Sequence, residues 1–522
     1  MFVNLKYYFS ILLVVSGYIF YFSITYNDQL AGSNSDDAVY LLLADMYTFS
    51  TNGAQAIYDL LRTNSYFPPV YPMILGLFGG NSNNLATATN ITVTMQVMSF
   101  LISALWIYKN TGNYFFAYGS FLLLLMLPGS IIFSQELWSE FLFMIFIYGA
   151  LLLSCKVNRD SRDWIGIVLL VALASLTRSI GIAFVFAFII HMFLKKNKYS
   201  AIYSVACLLP FLFWNFIRQS NPDRSSYIDI FTSTIFNLSP TDALDLITQK
   251  ILIFYKSIYW LFSGIETGLL HQILTNILLL IILTFTITRL LKRIRKFELD
   301  AIFLILYMAI VLIWPYDSIF FVSRFLYPII PICLLYFIME YFHFHKSYNL
   351  RLFGNSLIIV LIISVLSPSS YQYISRAYAS VDTELMPYRR DRNWLMANNI
   401  ENAEILINNS YFIVKSIKEI QNFVPENECI YSIQAPIIML HAKRVSSVLP
   451  RPEVSDEEFT NGSSACNYIL AMPVYDAAGK YPEFYPMQRV SNDDYHEVAY
   501  FKDRNNNIEI FLLEKIINTT LR

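Results

Sequence analysis

Apolar residues in this chain come in long unbroken runs, rather than at the alternate or every-third spacing of a soluble protein's buried face. Runs of about 20 residues without charge match the thickness of a bilayer's hydrocarbon core. The first covers Tyr7 to Tyr26, and others follow at Thr87 to Tyr108, Tyr114 to Phe133 and from Glu140 down to Lys156. Next comes a shorter pair broken at Thr177-Arg178-Ser179-Ile180-Gly181, then Ala201 to Ile217 and a run ending at Lys292-Arg293-Ile294-Arg295-Lys296. The last three rise to Trp314, fall from Phe321 through Pro328 and Pro331 to His343, and rise again from Leu352 to Leu366. The pattern predicts a polytopic α-helical membrane protein with about eleven transmembrane helices.

The polar stretches between the runs orient them. Lys6, Lys109, Lys156 with Arg159 and Arg162, Lys195 to Lys198, and Lys292 to Lys296 all fall on one side of the count. Basic loops mark the cytoplasmic side, so the N-terminus is expected inside and, after eleven crossings, the tail outside. The first run is too long for a removed signal peptide and lacks a small-residue cleavage site, so it reads as a retained anchor. These features predict an integral protein of a bacterial inner or plasma membrane.

From Ser367 the pattern changes to short β-branched and aromatic runs, such as Ile430 to Ile433 and Tyr468 to Ala471, mixed with a helical stretch near Trp394 to Ile400. Ile508 to Leu513 reads as a last strand after a turn at Asp503 to Asn507. The expected organisation is a membrane domain over 1–366, with an outer loop at 27–85 that is amphipathic around Ala54 to Leu61, and a small extracytoplasmic α/β domain over 367–522.

Composition sharpens this picture. Of 522 residues, 56% are hydrophobic and only 14% charged, and the mean hydropathy is +0.47. A soluble globular domain is nearer 25% charged. The net charge of −1 and the sparse basic residues of the tail point away from nucleic acid. Cys155, Cys207 and Cys333 lie in or beside apolar runs as small buried hydrophobes. Cys429 and Cys466 lie in the polar tail, where an outside location permits a disulfide but separate thiols remain the alternative. The sequence contains no zinc-type cluster of Cys and His.

The candidate chemistry sits at the outer ends of the runs. Asp36 and Asp37 follow the first run by about ten residues and precede the stiff re-entry Phe67-Pro68-Pro69-Val70-Tyr71-Pro72. A carboxylate at a membrane surface is placed to take a proton from an acceptor hydroxyl. The plainer reading is a solvated pair, or an N-cap for a helix starting at Ala38. Arg178 interrupts two nearly uncharged runs, and Arg324 lies in Ser323-Arg324-Phe325-Leu326-Tyr327-Pro328. A guanidinium at that depth either snorkels to the outer interface or has a partner or a function, and it can bind phosphate bidentately. Tyr327, one turn beyond Arg324, predicts a phenol on the same face. Glu136 and Glu140, at i and i+4 beside Trp138, predict a shared helical face, and Asp317 lies at the same outer level. Acids and arginines at one depth suit transfer from a phosphate-linked donor, because the anionic leaving group must be stabilised. A transporter would instead place polar groups at mid-membrane on broken helices.

In their order these motifs resemble the GT-C superfamily of membrane glycosyltransferases, including protein O-mannosyltransferases and the aminoarabinose transferases of lipid A. The resemblance covers most of the membrane region, and the tail looks like the extracytoplasmic domain that many bacterial members carry. It implies an inverting transferase that moves a sugar from a polyprenyl-phosphate-linked donor to a glycan, lipid or protein acceptor on the outer membrane face. Asp36 or Asp37 would then be the base, Arg324, Arg178 and Tyr327 would hold the donor phosphate, and Glu136, Glu140, Tyr71 and Asp317 would bind substrate. No organic cofactor is implied. A divalent metal, used by some members, would have only these same acids as ligands. Protein mannosyltransferases usually carry Asp-Glu where this chain has Asp36-Asp37, and the chain lacks their additional sugar-binding domains, which leaves the acceptor open. The alternatives are a flippase or exporter of lipid-linked glycan, or a polymerase or ligase of such glycans.

Overall fold

The computed structural model describes residues 2–25, 35–48, 67–156, 158–218, 240–264, 268–314, 318–344, 348–379, 392–396, 400–450, 455–457, 459, 466–473, 486–490, 494–503 and 508–516. The expected amphipathic segment at Ala54 to Leu61, and Asp317, lie outside these residues.

Helix α1 (Phe2–Thr25) is the first apolar run. A short helix α2 (Ser35–Asp45) follows, with both acids of the Asp36-Asp37 pair in its first turn. Carboxylates there face the unpaired N–H groups and the positive end of the helix dipole, so the pair starts the helix. The proline-stiffened stretch leads into α3 (Val70–Leu77), which packs directly on α2. Gly76 makes that approach possible, because a Cβ there would lie 2.4 Å from the Ala44 carbonyl oxygen.

Among the described residues, four helices are long and apolar enough to cross a membrane: Leu85–Thr111, Leu269–Ile294, Ile319–His343 and Ser356–Ala377. The first is α4, capped by the Asn84 side chain, which accepts from the Thr87 N–H at 3.3 Å. Several other expected crossings are interrupted, each for a visible reason. The run Tyr114 to Phe133 divides into α5 (Tyr114–Met126) and α6 (Pro128–Phe133), because Leu127 is extended before Pro128. The next two runs divide as their sequence predicts. α8 (Ser161–Thr177) stops at Arg178, a 3-10 turn covers Ser179–Gly181, and α9 (Ile182–Leu194) resumes. Gly181 is required at that turn, since a Cβ would lie 2.5 Å from the Ala174 carbonyl oxygen.

Glu140 opens α7 (Glu140–Ser154), while Glu136 lies in the bend before it. The two acids therefore do not share a helical face, because the helical path ends at Phe133 and starts afresh at Glu140. α7 lies against α4 and α8 in the middle of the helical body. The remaining helices are α10 (Ser200–Arg218), α11 (Pro240–Ser263), α12 (Leu269–Ile294), α13 (Leu299–Ile313), α14 (Ile319–Leu326), α15 (Ile330–Phe344) and α16 (Tyr348–Ala377). A 3-10 turn at Tyr327–Ile329 carries Pro328 between α14 and α15.

The tail docks onto this body through a reciprocal clasp. The Arg376 guanidinium at the end of α16 donates to the Trp394 and Leu395 carbonyls at 3.2 and 3.1 Å, and the Trp394 indole donates back to the Arg376 carbonyl at 3.0 Å. Beyond α17 (Arg392–Met396) and α18 (Ile400–Glu419) lies a five-stranded sheet of order β2-β1-β3-β5-β4. β1 (Cys429–Ser432) runs parallel to β2 (Val445–Val448) and β3 (Tyr468–Ala471). Parallel neighbours need a crossover, which α19 (Ala435–His441) supplies between β1 and β2. β5 (Glu509–Lys515) is antiparallel to β3 and to β4 (Tyr495–Lys502); the turn expected at Asp503 to Asn507 lies, apart from Asp503, outside the described residues. Cys429 and Cys466 form a disulfide, which decides between the two states the sequence left open. α19 also packs against α2, so the tail touches the helix that carries the acidic pair.

Candidate functional site

The first turn of α2, the start of α7, the break between α8 and α9, and α14 meet around a cavity of about 190 Å³. Asp36, Tyr40, Ser139, Arg178, Arg324 and Phe325 are among the residues that line it. At its floor is Glu140, only 2% exposed, whose Oε1 accepts from both arginines. Arg178 reaches it through Nη1 at 2.5 Å, and Arg324 through Nε. Both guanidiniums are themselves buried. One buried carboxylate against two buried cations leaves a positive surplus, and removing water makes that surplus strong.

Asp36 balances the surplus. Its Oδ2 accepts from Arg324 Nη1 at 2.6 Å, while its side chain keeps 30% of its exposure. Arg324 is further fixed by the Trp138 ring, whose centroid lies 3.6 Å from Cζ, a stacked cation–π arrangement. Arg178 lies over Phe325 at 5.4 Å and donates to Ser139 Oγ at 3.1 Å. Ser139 Oγ is in turn 3.0 Å from the Tyr40 hydroxyl. Arg178 Nε is buried and has no hydrogen-bond partner among the described residues.

The two acids of the pair have different surroundings. Asp37 is 1% exposed and does not line the cavity. Its carboxylate accepts from the Leu137 N–H, and its Oδ1 has no hydrogen-bond partner. Burial, and next the negative charge of Glu136, push its carboxyl well above the usual carboxylate range, so the neutral acid is favoured.

The other expected site residues are near but turned elsewhere. The Tyr327 hydroxyl is 2.6 Å from Ser130 Oγ, and its ring stands edge-on to Phe133 in the aromatic core, away from the face of Arg324. A 3-10 turn, rather than continued α-helix, separates the two residues and removes the expected common face. The Tyr71 hydroxyl pairs with Thr92 Oγ1 at 2.8 Å, and its ring supports that of Tyr40 edge-on at 4.8 Å. Glu136 faces Asp37 rather than the cavity. Sequence reasoning passed over Tyr40, Ser139 and Phe325. Each had a local signal: Tyr40 is one helical turn from Asp36, and the other two adjoin Glu140 and Arg324. Among the described residues, no group of three His, Cys, Asp or Glu side chains could hold a metal ion.

No family model and no curated protein matches the chain. Solved structures do match. The structure of ArnT from Cupriavidus metallidurans in the apo state aligns at a TM-score of 0.52 and 11% identity, covering 96% of this chain and 97% of that one. The structure of the same protein bound to undecaprenyl phosphate aligns at 0.48 and 12% identity, with the same coverage. At such identity the likeness speaks for the fold alone. From end to end the chain shares the fold of ArnT, and four of its described helices are long and apolar enough to cross a membrane.

Proposed function

We propose that the chain is an inverting GT-C glycosyltransferase which takes a sugar from a polyprenyl-phosphate donor at the outer face of the membrane. The observation that carries this reading is the contact between Arg324 and Asp36, a fixed cation and a movable carboxylate at the mouth of one small cavity. A cavity of about 190 Å³ is below the roughly 300–1,000 Å³ of sites that enclose a whole drug-sized ligand. It suits a sugar and its phosphate, with the prenyl chain left in the lipid.

Asp36 is the base. It is the acid of the pair that lines the cavity and meets a guanidinium there, whereas Asp37 is buried away from the cavity and favours its neutral form. Arg324 and Arg178 hold the donor phosphate. Glu140, expected to touch substrate, instead fixes both guanidiniums from below so that their outer N–H groups face the cavity. In the reaction, the acceptor hydroxyl gives its proton to Asp36 as its oxygen bonds to the anomeric carbon. The bond from that carbon to the phosphate oxygen breaks, and its electron pair leaves on the phosphate. Negative charge thus disappears from Asp36 as it grows beside the arginines, so the charge within the cleft is unchanged.

A donor phosphate and Asp36 compete for the same Arg324 N–H groups. Donor binding therefore releases Asp36, and the base becomes free only when a sugar is present to transfer. The Asp36→Asn variant should lose turnover by about 10²–10⁴-fold yet bind donor lipid more tightly than wild type. Turnover of polyprenyl-phosphate sugars and direct donor-binding titrations, run on the same detergent preparations, test both halves. Wild type that binds no donor lipid would refute the transferase reading. Equal donor affinity in the two proteins would refute the competition alone.

The proposed topology has eleven crossings, a membrane domain over 1–366 and an extracytoplasmic domain over 367–522. Clustered basic loops support it, as does the Cys429–Cys466 disulfide, which belongs to an oxidising compartment.

A further inference from the structure

A second cleft, of about 550 Å³, lies between the tail and the turn that leads into α4. Lys418, Gln421, His441 and Lys443 line it from the tail, and Asn83 and Asn84 from the body. No acid lines it. Leu85 and Ala86 also border it, so the N-terminus of the 27-residue helix α4 adds its dipole to the two lysines.

Lys443 is unusual in two respects. Its backbone is left-handed, at φ 52°, a conformation that is strained for a residue with a side chain. The neighbouring Arg444 holds the turn there by donating to three carbonyls, those of Val424, Gln421 and Lys443. The ammonium is half-buried, donates to Ser82 Oγ at 3.2 Å, and makes no salt bridge among the described residues. Burial pulls its pKa below the usual lysine value, with only the Asp45 carboxylate opposing. A half-buried cation held on a strained turn, facing a roomy cleft and lacking an ion-pair partner, calls for an anion from outside.

The same cleft is wired to the candidate catalytic helix. Ser82, which accepts from Lys443, donates its backbone N–H to Asp45 Oδ1 at 3.0 Å. Asp45 is the last residue of α2, and Asp36 lies nine positions earlier on it. At about 1.5 Å per residue that is a separation of roughly 13 Å along the helix.

We propose that this cleft seats an anionic group of the acceptor glycan, a carboxylate or a phosphate, a few sugar units from the hydroxyl that reacts at Asp36. The assignment to the acceptor rests on the transferase reading, while the anion seat itself does not. It makes the tail a reader of acceptor charge, and α2 the spacer that sets the distance from charge to reacting hydroxyl.

Calorimetric titration of the full chain in detergent tests it, with inorganic phosphate, a galacturonic acid trisaccharide and the matching neutral galactose trisaccharide as probes. The variants are Lys418→Ala with Lys443→Gly, where glycine accepts the left-handed backbone without strain, and Arg324→Ala as a control for the catalytic cleft. The double variant should lose about tenfold or more in affinity for the anionic probes, as expected for two charged contacts. Arg324→Ala should bind the uronate as wild type does and lose only the phosphate held in the catalytic cleft, and the neutral trisaccharide should not bind. Phosphate binding that Arg324→Ala retains and the double variant loses is the share held in this second cleft. Uronate binding that survives in the double variant, is lost only in Arg324→Ala, or is absent from wild type overturns the anion seat. Donor-lipid titration of the same preparations reads the transferase proposal separately, so either can fail alone.

Discussion

Two buried charge clusters lie in the helical body, and they are built differently. In one, Arg293 pairs with Asp300 at 2.8 Å across seven residues, Tyr336 donates to the same carboxylate at 2.9 Å, and Lys292 pairs with Glu340. In the other, Arg324 joins Glu140 and Asp36, which are 184 and 288 residues away in sequence. The first closes on carboxylates fixed in helices α13 and α15, at the end of the molecule rich in basic residues. The second opens onto a cavity, and one of its carboxylates is still partly in water. A cluster that serves the fold buries both of its carboxylates against fixed cations. A cluster kept for chemistry retains one ionic partner that a substrate can replace.

Breaking each cluster at its arginine should separate these roles most strongly. Arg324→Ala leaves Glu140 and Asp36 without their shared cation, which should destabilise by about 3–5 kcal/mol, and it should also abolish measurable donor binding. Arg293→Met strands Asp300 and should cost a similar 3–5 kcal/mol while leaving the donor dissociation constant unchanged. Thermal melting and donor titration of both variants decide the matter. If donor affinity falls equally in the two, the contrast between clusters is wrong.

A smaller effect is expected in the tail. The Cys429–Cys466 disulfide closes a loop of sequence separation 37, and its loss through Cys466→Ser should destabilise by about 2–4 kcal/mol. The loss should fall on the tail's melting transition rather than on donor binding. A fall in donor affinity would show that the tail shapes the catalytic cleft as well as its neighbour.

The smallest and most specific test compares Asp36 with Asp37. Folding raises the Asp37 pKa, so the folded state holds this proton more tightly than the unfolded chain. Its contribution to stability is full at acid pH and is lost as pH rises from the ordinary carboxylate range through the raised value. Asp37→Asn has no proton to lose, so its melting temperature should gain on wild type over that interval, with turnover largely retained. Parallel melting profiles for the two proteins would show that Asp37 is ionised in the folded state and would reopen the choice of base.

The sequence revealed much of this because many of its signals are local. Apolar runs, and the arginine that breaks Thr177 from Gly181, each reside in a few adjacent residues. The strands at Cys429–Ser432 and Tyr468–Ala471 could be read for the same reason. What the sequence could not convey is which charges meet. Nothing in a run of residues says that Arg324 reaches Glu140 rather than a phosphate, or that Asp36 and Asp37 diverge into a cavity and a core. The misreadings were failures of assumed helical continuity. Glu136 with Glu140, and Arg324 with Tyr327, were each taken as one helix, and a bend and a 3-10 turn divide them.

Gly76 has a consequence for how such a protein can diversify. At Gly76 the contact that seats α2 is made against backbone, the Ala44 carbonyl, and that contact involves no side chain lining the cavity. Lineages could therefore exchange cleft residues such as Tyr40, Ser139 or Phe325 for others that suit a new sugar without re-aiming Asp36. Gly76 itself, outside the cleft, is closed to such drift, because even a methyl group there would lift the helix that carries the base.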